Sequence, residues 1–90
     1  MSAFEHYKKE FIKHDNLSQE YLSKAYFSKN TFTRAALLIW TDRETVESIK
    51  ALIMANEASG TTENNKYWQG KINKIFSKYP TQKEVLFYES

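Results

Sequence analysis

His6, Glu10 and His14 recur every four residues, so a helix would line an imidazole, a carboxylate and a second imidazole along one face. By type these groups are zinc ligands, and the carboxylate is also a proton acceptor for acid–base chemistry. A structural zinc takes a fourth ligand, often a cysteine, and the chain has none. The stripe therefore reads as a surface row in which Glu10 screens two histidines, and no metal or cofactor is expected. Both histidines of the chain stand on this row, so a Ser-His-acid nucleophile would have to recruit a serine from elsewhere, and no spacing singles one out. There is no HExxH pair, and the two glycines, Gly60 and Gly70, stand apart rather than in a phosphate-cradling loop. Residues of catalytic type are present without an arrangement that performs catalysis. The expectation is a non-enzymatic protein.

The aromatic content points to binding instead. Six Tyr and six Phe in 90 residues are more than a core of this size obviously needs, because a small domain has few fully buried positions. Tyr and Trp give large contact areas with little rotamer loss, and neighbouring Lys or Arg bias docking electrostatically. The expected role is a small regulator, adaptor or inhibitor that binds a larger protein, with Tyr26, Phe27, Arg34, Tyr67, Lys71, Lys74 and Tyr88 as contacts. A two-fold homodimer would complete the same aromatic surface. The competing arrangement is a monomer with half-buried tyrosines.

Nucleic acid is the alternative partner. The formal net charge of +2 argues weakly for it, since dedicated binders carry more excess charge, but the distribution is uneven. From Asn64 through Lys83 the chain has Lys66, Lys71, Lys74, Lys78 and Lys83 and no acidic residue. On a helix, Trp68, Ile72, Ile75, Phe76 and Tyr79 share one face, which reads as core, and Tyr67, Lys71, Lys74 and Lys78 form a ridge beside it. Such a ridge can neutralise a row of phosphates or serve as a solvated face whose lysine stems shield the core edge.

A second candidate for nucleic-acid contact lies in residues 17–34, LSQEYLSKAYFSKNTFTR. Gln19, Glu20, Tyr21 and Leu22 resemble the start of the first helix of the helix-turn-helix of bacterial repressors. Ser28 through Arg34 resemble the start of its recognition helix. The match is degenerate: the spacing from Leu22 to Ser28 is one residue short, and Tyr26-Phe27 replaces the turn. The resemblance implies two short helices at a steep angle, Phe32 as the inward anchor, and Lys29, Asn30, Thr33 and Arg34 toward bases or phosphates.

The elements that would position these residues read as helices. Ser2 with Glu5 forms a capping box for a helix over about 3–14, and Asp15-Asn16 reads as a break. A second helix over 17–28 carries an apolar band of Leu17, Tyr21, Leu22, Ala25 and Tyr26, with Phe27 almost opposite. Residues 34–40 read as a short buried helix, and Thr41 with Glu44 as the capping box of another that ends near Ala58. Gly60 suits a left-handed helix end, a further helix spans about 63–78, and Pro80 stops it. Residues 81–90 begin with a third cap pattern, Thr81 and Glu84, and read as helix rather than strand. The expected fold is all-α: one domain over residues 1–90, with five or six short helices in orthogonal or bundle-like packing.

The chain lacks cysteine, opens on the polar stretch MSAFEHYKKEF, and has no purely apolar run longer than Ala35–Trp40, far short of the ~20 residues that cross a bilayer. A cytoplasmic protein with no membrane partner is expected.

Overall fold

The structure is a computed structural model that describes residues 2–79, within which the chain forms three α-helices: α1 (Ala3–Phe27), α2 (Thr31–Ser59) and α3 (Asn65–Phe76). The all-α expectation holds. The number of helices does not, because two expected breaks are absent among the described residues.

The first is Asp15-Asn16. Asp15 accepts a hydrogen bond from the Gln19 side chain at 2.9 Å, one turn on, so its carboxylate supports the helix instead of diverting a backbone donor. The chain passes through as a single helix of 25 residues. The second is Thr41, which sits in mid-helix with its hydroxyl donating to the Leu37 carbonyl at 2.8 Å. Thr45 bonds back to Thr41 in the same way, also at 2.8 Å. The expected capping box is thus unused, and 34–40 and 41–58 fuse into one helix of 29 residues. At the chain start the cap forms as its sequence indicates, with Ser2 Oγ accepting from the Glu5 N–H at 3.1 Å.

α1 and α2 pair antiparallel as a hairpin. The pairing runs from Tyr7 beside Ala51 and Met54, through Ser18 beside Thr41 and Thr45, to Ala25 beside the three-residue turn. The contact face is built of small residues: Ser18, Ala25, Thr41, Ser48, Ala51 and Ala55 are all buried. Small side chains let two backbones approach closely, and the hydroxyls among them are satisfied within the helices or across them. Among the described residues no buried side-chain nitrogen or oxygen lacks a partner.

Gly60 ends α2 at φ +79°, the left-handed conformation expected of it, and its N–H caps the Asn56 and Glu57 carbonyls. α3 then returns along the C-terminal half of α2, tied by Asn56 to Asn65 at 3.0 Å near its start and by Tyr79 to Asp42 at 2.6 Å beyond its end. Between these ties Val46, Ile49 and Ile72 form the core, with Ile53, Trp68, Ile75, Phe76 and Tyr79 packed on it. The apolar face expected for this region is therefore the one buried. Fully burying a Val- or Ile-sized side chain contributes ~1.5–3 kcal/mol, so this small cluster anchors α3. No described helix is long and apolar enough to cross a membrane. The cap pattern at Thr81 and Glu84, and Tyr88, lie outside the described residues.

Candidate interaction surface

The hairpin turn, Ser28-Lys29-Asn30, is fixed by several hydrogen bonds. The Ser28 N–H donates to the Ala25 carbonyl at 3.2 Å, the Thr33 N–H to Asn30 Oδ1 at 2.9 Å, and the Arg34 guanidinium to the Ser28 carbonyl at 2.7 Å. Asn30 is the N-cap of α2, a role its short amide side chain suits.

Around this turn three aromatic rings face water. Tyr26 is 78% exposed, Phe27 77% and Phe32 84%. Helical periodicity explains why. Ala25 faces α2, so Phe27, two residues on, turns about 200° away; Thr41 faces α1, so Phe32, nine residues earlier, lies on the opposite side of α2. The rings of Tyr26 and Phe27 meet edge to face at 5.4 Å.

This geometry corrects the helix-turn-helix expectation in two respects. α1 and α2 are long helices lying side by side, whereas the motif needs short ones crossing steeply. Phe32, expected as its inward anchor, is instead the most exposed large apolar side chain described. Lys29, Asn30, Thr33 and Arg34 are all exposed, but the Asn30 amide and the Arg34 guanidinium are engaged in holding the turn.

The charge of this end is one-sided. Between Glu20 and Asp42 there is no acidic residue, while Lys24, Lys29 and Arg34 are present. Among the described residues only Lys24 of these three has an acidic partner at hand, Glu20 at 3.1 Å, in an exposed pair that water screens strongly. Sequence reasoning centred on 64–83 overlooked this stretch, although the absence of acids over 21–41 was visible in the residue order.

The other expected contacts lie on α3, away from the turn. Tyr67 is exposed, with the Lys71 ammonium 5.4 Å from its ring centre, and Lys74 is solvated beside them. Lys78 is drawn to Asp42 at 3.4 Å, which partly neutralises the ridge. The structure thus brings Tyr26, Phe27 and Arg34 together at one end, and Tyr67, Lys71 and Lys74 together on another element, with no shared patch.

The histidine row serves as a link between helices. His14 Nδ1 lies 3.1 Å from Glu44 Oε1 on α2, and its Nε2 lies 3.4 Å from Glu10 Oε2. His6 takes no part; its ring stands edge-on to Tyr7 at 5.1 Å. Among the described residues no group of three or more His, Cys, Asp or Glu is placed to hold a metal ion.

A shallow groove of about 500 Å³ runs between α1 and α2 near the turn, lined by Leu22, Ala25, Tyr26, Arg34 and Leu38. Leu22 is about half exposed, and Leu38 nearly so. The sequence places Leu22 in the apolar band with Ala25, and the small-residue contact face buries Ala25 while leaving Leu22 at the rim.

No protein-family model, curated protein or solved structure matches this chain.

Proposed function

We propose that this chain is a non-enzymatic interaction module that binds a protein partner through the aromatic end of its helical hairpin. The observation that carries this reading is the exposure of Tyr26, Phe27 and Phe32 around a turn held by hydrogen bonds. A rigid turn presents its rings without a further ordering cost on binding, and aromatic anchors of this kind dominate interface energies. Tyr26 and Phe27, whose exposed rings meet edge to face, form the adjacent apolar pair of this end, and adjacent exposed rings mark contact sites better than scattered ones do.

The chemistry of the end describes the partner. Apolar pockets would take the rings, and an acidic rim would complement Lys24, Lys29 and Arg34, which have no acid interspersed. The α3 lysines are left as a solvated face. An inhibitor, adaptor or regulator that works by occupying another protein's surface fits this description.

A photo-crosslinking residue placed at Phe32, and separately at the exposed Ala58 near the far end of α2, tests the reading in the expressing cell. A discrete crosslinked protein at 32 and none at 58 supports it. Crosslinks to nucleic acid alone, or the same proteins from both positions, would count against it.

A further inference from the structure

α3 turns one face to the core and the other to water. Ile72 is buried, and Trp68, Ile75, Phe76 and Tyr79 pack with it. At 100° per residue, Tyr67, Gly70 and Lys74 stand ~140–160° round the helix from Ile72, with Lys66 and Lys71 at ~100–120° on its two sides. All five are exposed, Tyr67 by 58%. Docking through the aromatic end of the hairpin leaves this face in solvent, open to a second contact.

Gly70 is the residue of this face that the fold does not explain. Glycine weakens the interior of a helix, and among the described residues nothing lies within 4 Å of where its Cβ would be. The gap therefore serves no packing among them. What it permits is the close approach of another backbone to α3.

The surroundings of Gly70 are cationic. From Asn64 to Tyr79 the chain has no acid, and among the described residues no carboxylate pairs with Lys66, Lys71 or Lys74. Lys78, drawn to Asp42, marks the limit of the patch. The Lys71 ammonium stands 5.4 Å from the Tyr67 ring centre, so an exposed ring and a cation are already side by side.

We propose that this face of α3 binds single-stranded nucleic acid, with Lys66, Lys71 and Lys74 on phosphates, Gly70 beneath the sugar-phosphate backbone and Tyr67 stacked on an unpaired base. Length matches: Lys66 to Lys74 covers ~12 Å of helix, about three to four phosphates at ~3.4 Å per nucleotide. An acidic protein would also satisfy the lysines, but Tyr67 favours nucleic acid. Every base has a π-face that stacks on an exposed ring, whereas a duplex keeps its bases covered. DNA and RNA strands share this chemistry. The inference stands apart from the partner reading, since no residue of the aromatic end takes part.

Fluorescence polarisation on the full chain tests it, with labelled oligo-dT and oligo-rU, a duplex of equal length, and salt at about 50 and 200 mM. Three phosphate contacts give a slope of log affinity on log salt near about −2, a ~20-fold loss between those concentrations. The Lys71→Gln, Lys74→Gln double variant should bring the slope to about −0.7. Tyr67→Ala should weaken strand binding at least ~5-fold and leave duplex binding unchanged. Gly70→Leu places a side chain in open space, so it should melt no lower than the parent, yet bind the strand at least ~5-fold more weakly. Saturable binding of either strand with these responses supports the proposal, and the tighter of the two names the source. No saturable binding at the lower salt would overturn it, as would parent-like affinity in Gly70→Leu or a duplex bound as tightly as the strands. Full displacement of the strand by polyglutamate of equal charge would overturn it too, by assigning the face to an acidic protein.

Discussion

The hydroxyls of Ser18 on α1 and Thr45 on α2 meet across the hairpin at 2.6 Å. Thr45 donates to the Thr41 carbonyl at 2.8 Å, and the Ser18 hydroxyl lies 3.3 Å from the same carbonyl, so both side chains gather on one acceptor of α2. This short polar contact, between a buried serine and a half-buried threonine, lies within the small-residue face along which the two long helices pair.

Enlarging that contact should be worse than silencing it. Ser18→Ala removes the hydroxyl's contacts with Thr45 and with the Thr41 carbonyl and should cost about 1 kcal/mol. Ser18→Leu forces a branched side chain between the helices and should cost ~1–3 kcal/mol more. Urea denaturation followed by circular dichroism checks the order, which would reverse if the helices were held apart by larger residues.

The two glycines should respond with opposite signs. Gly60 has φ +79°, so Gly60→Ala strains the end of α2 and should destabilise the protein by about 1 kcal/mol. Gly70 lies within α3, and nothing is within 4 Å of where its Cβ would be. Gly70→Ala should stabilise by ~0.5–1 kcal/mol through helix propensity and a less flexible unfolded chain. Thermal melts of the two variants beside the parent give both signs.

Tyr79 should produce an alkaline loss of stability. Burial raises its pKa first, and the hydrogen bond to Asp42 and that residue's negative charge raise it further. The folded state then holds a proton that the unfolded chain releases near pH ~10. The contribution is intact below that value and is lost as pH rises through the elevated folded value. Tyr79→Phe should flatten the dependence of the urea midpoint on pH above ~10, and an unchanged slope would count against the Asp42 contact.

The all-α class, the Ser2 cap, the Gly60 helix end and the buried face of α3 were legible because each rests on local chemistry or a clear period. Helix lengths were not. Asp15 and Thr41 are residues that can stop a helix, and only their partners, Gln19 and the Leu37 carbonyl, decide that they do not. The exposed rings were half legible. Phe27 stood opposite the apolar band, but the side of α2 that Phe32 takes depends on Thr41 facing α1, which a residue pattern containing Ala35–Trp40 does not mark.

The exposed rings should contribute little to folding. Phe27→Ala and Phe32→Ala, alone or together, should each leave the unfolding free energy within about 0.5 kcal/mol of the parent, since they face solvent. A loss above ~2 kcal/mol in calorimetry or urea titration would show that these rings hold the hairpin together.

The most direct test of a docking role is a competition. Immobilised chain captures its partner from an extract at physiological salt, and free chain is added in excess as parent, as the Phe27→Ala, Phe32→Ala double variant, or as the Tyr67→Ala, Lys71→Ala double variant. The account predicts that the parent and the Tyr67, Lys71 variant release the captured protein alike, while the Phe27, Phe32 variant, equally folded, releases little. Equal release by all three, or no saturable capture, would contradict it.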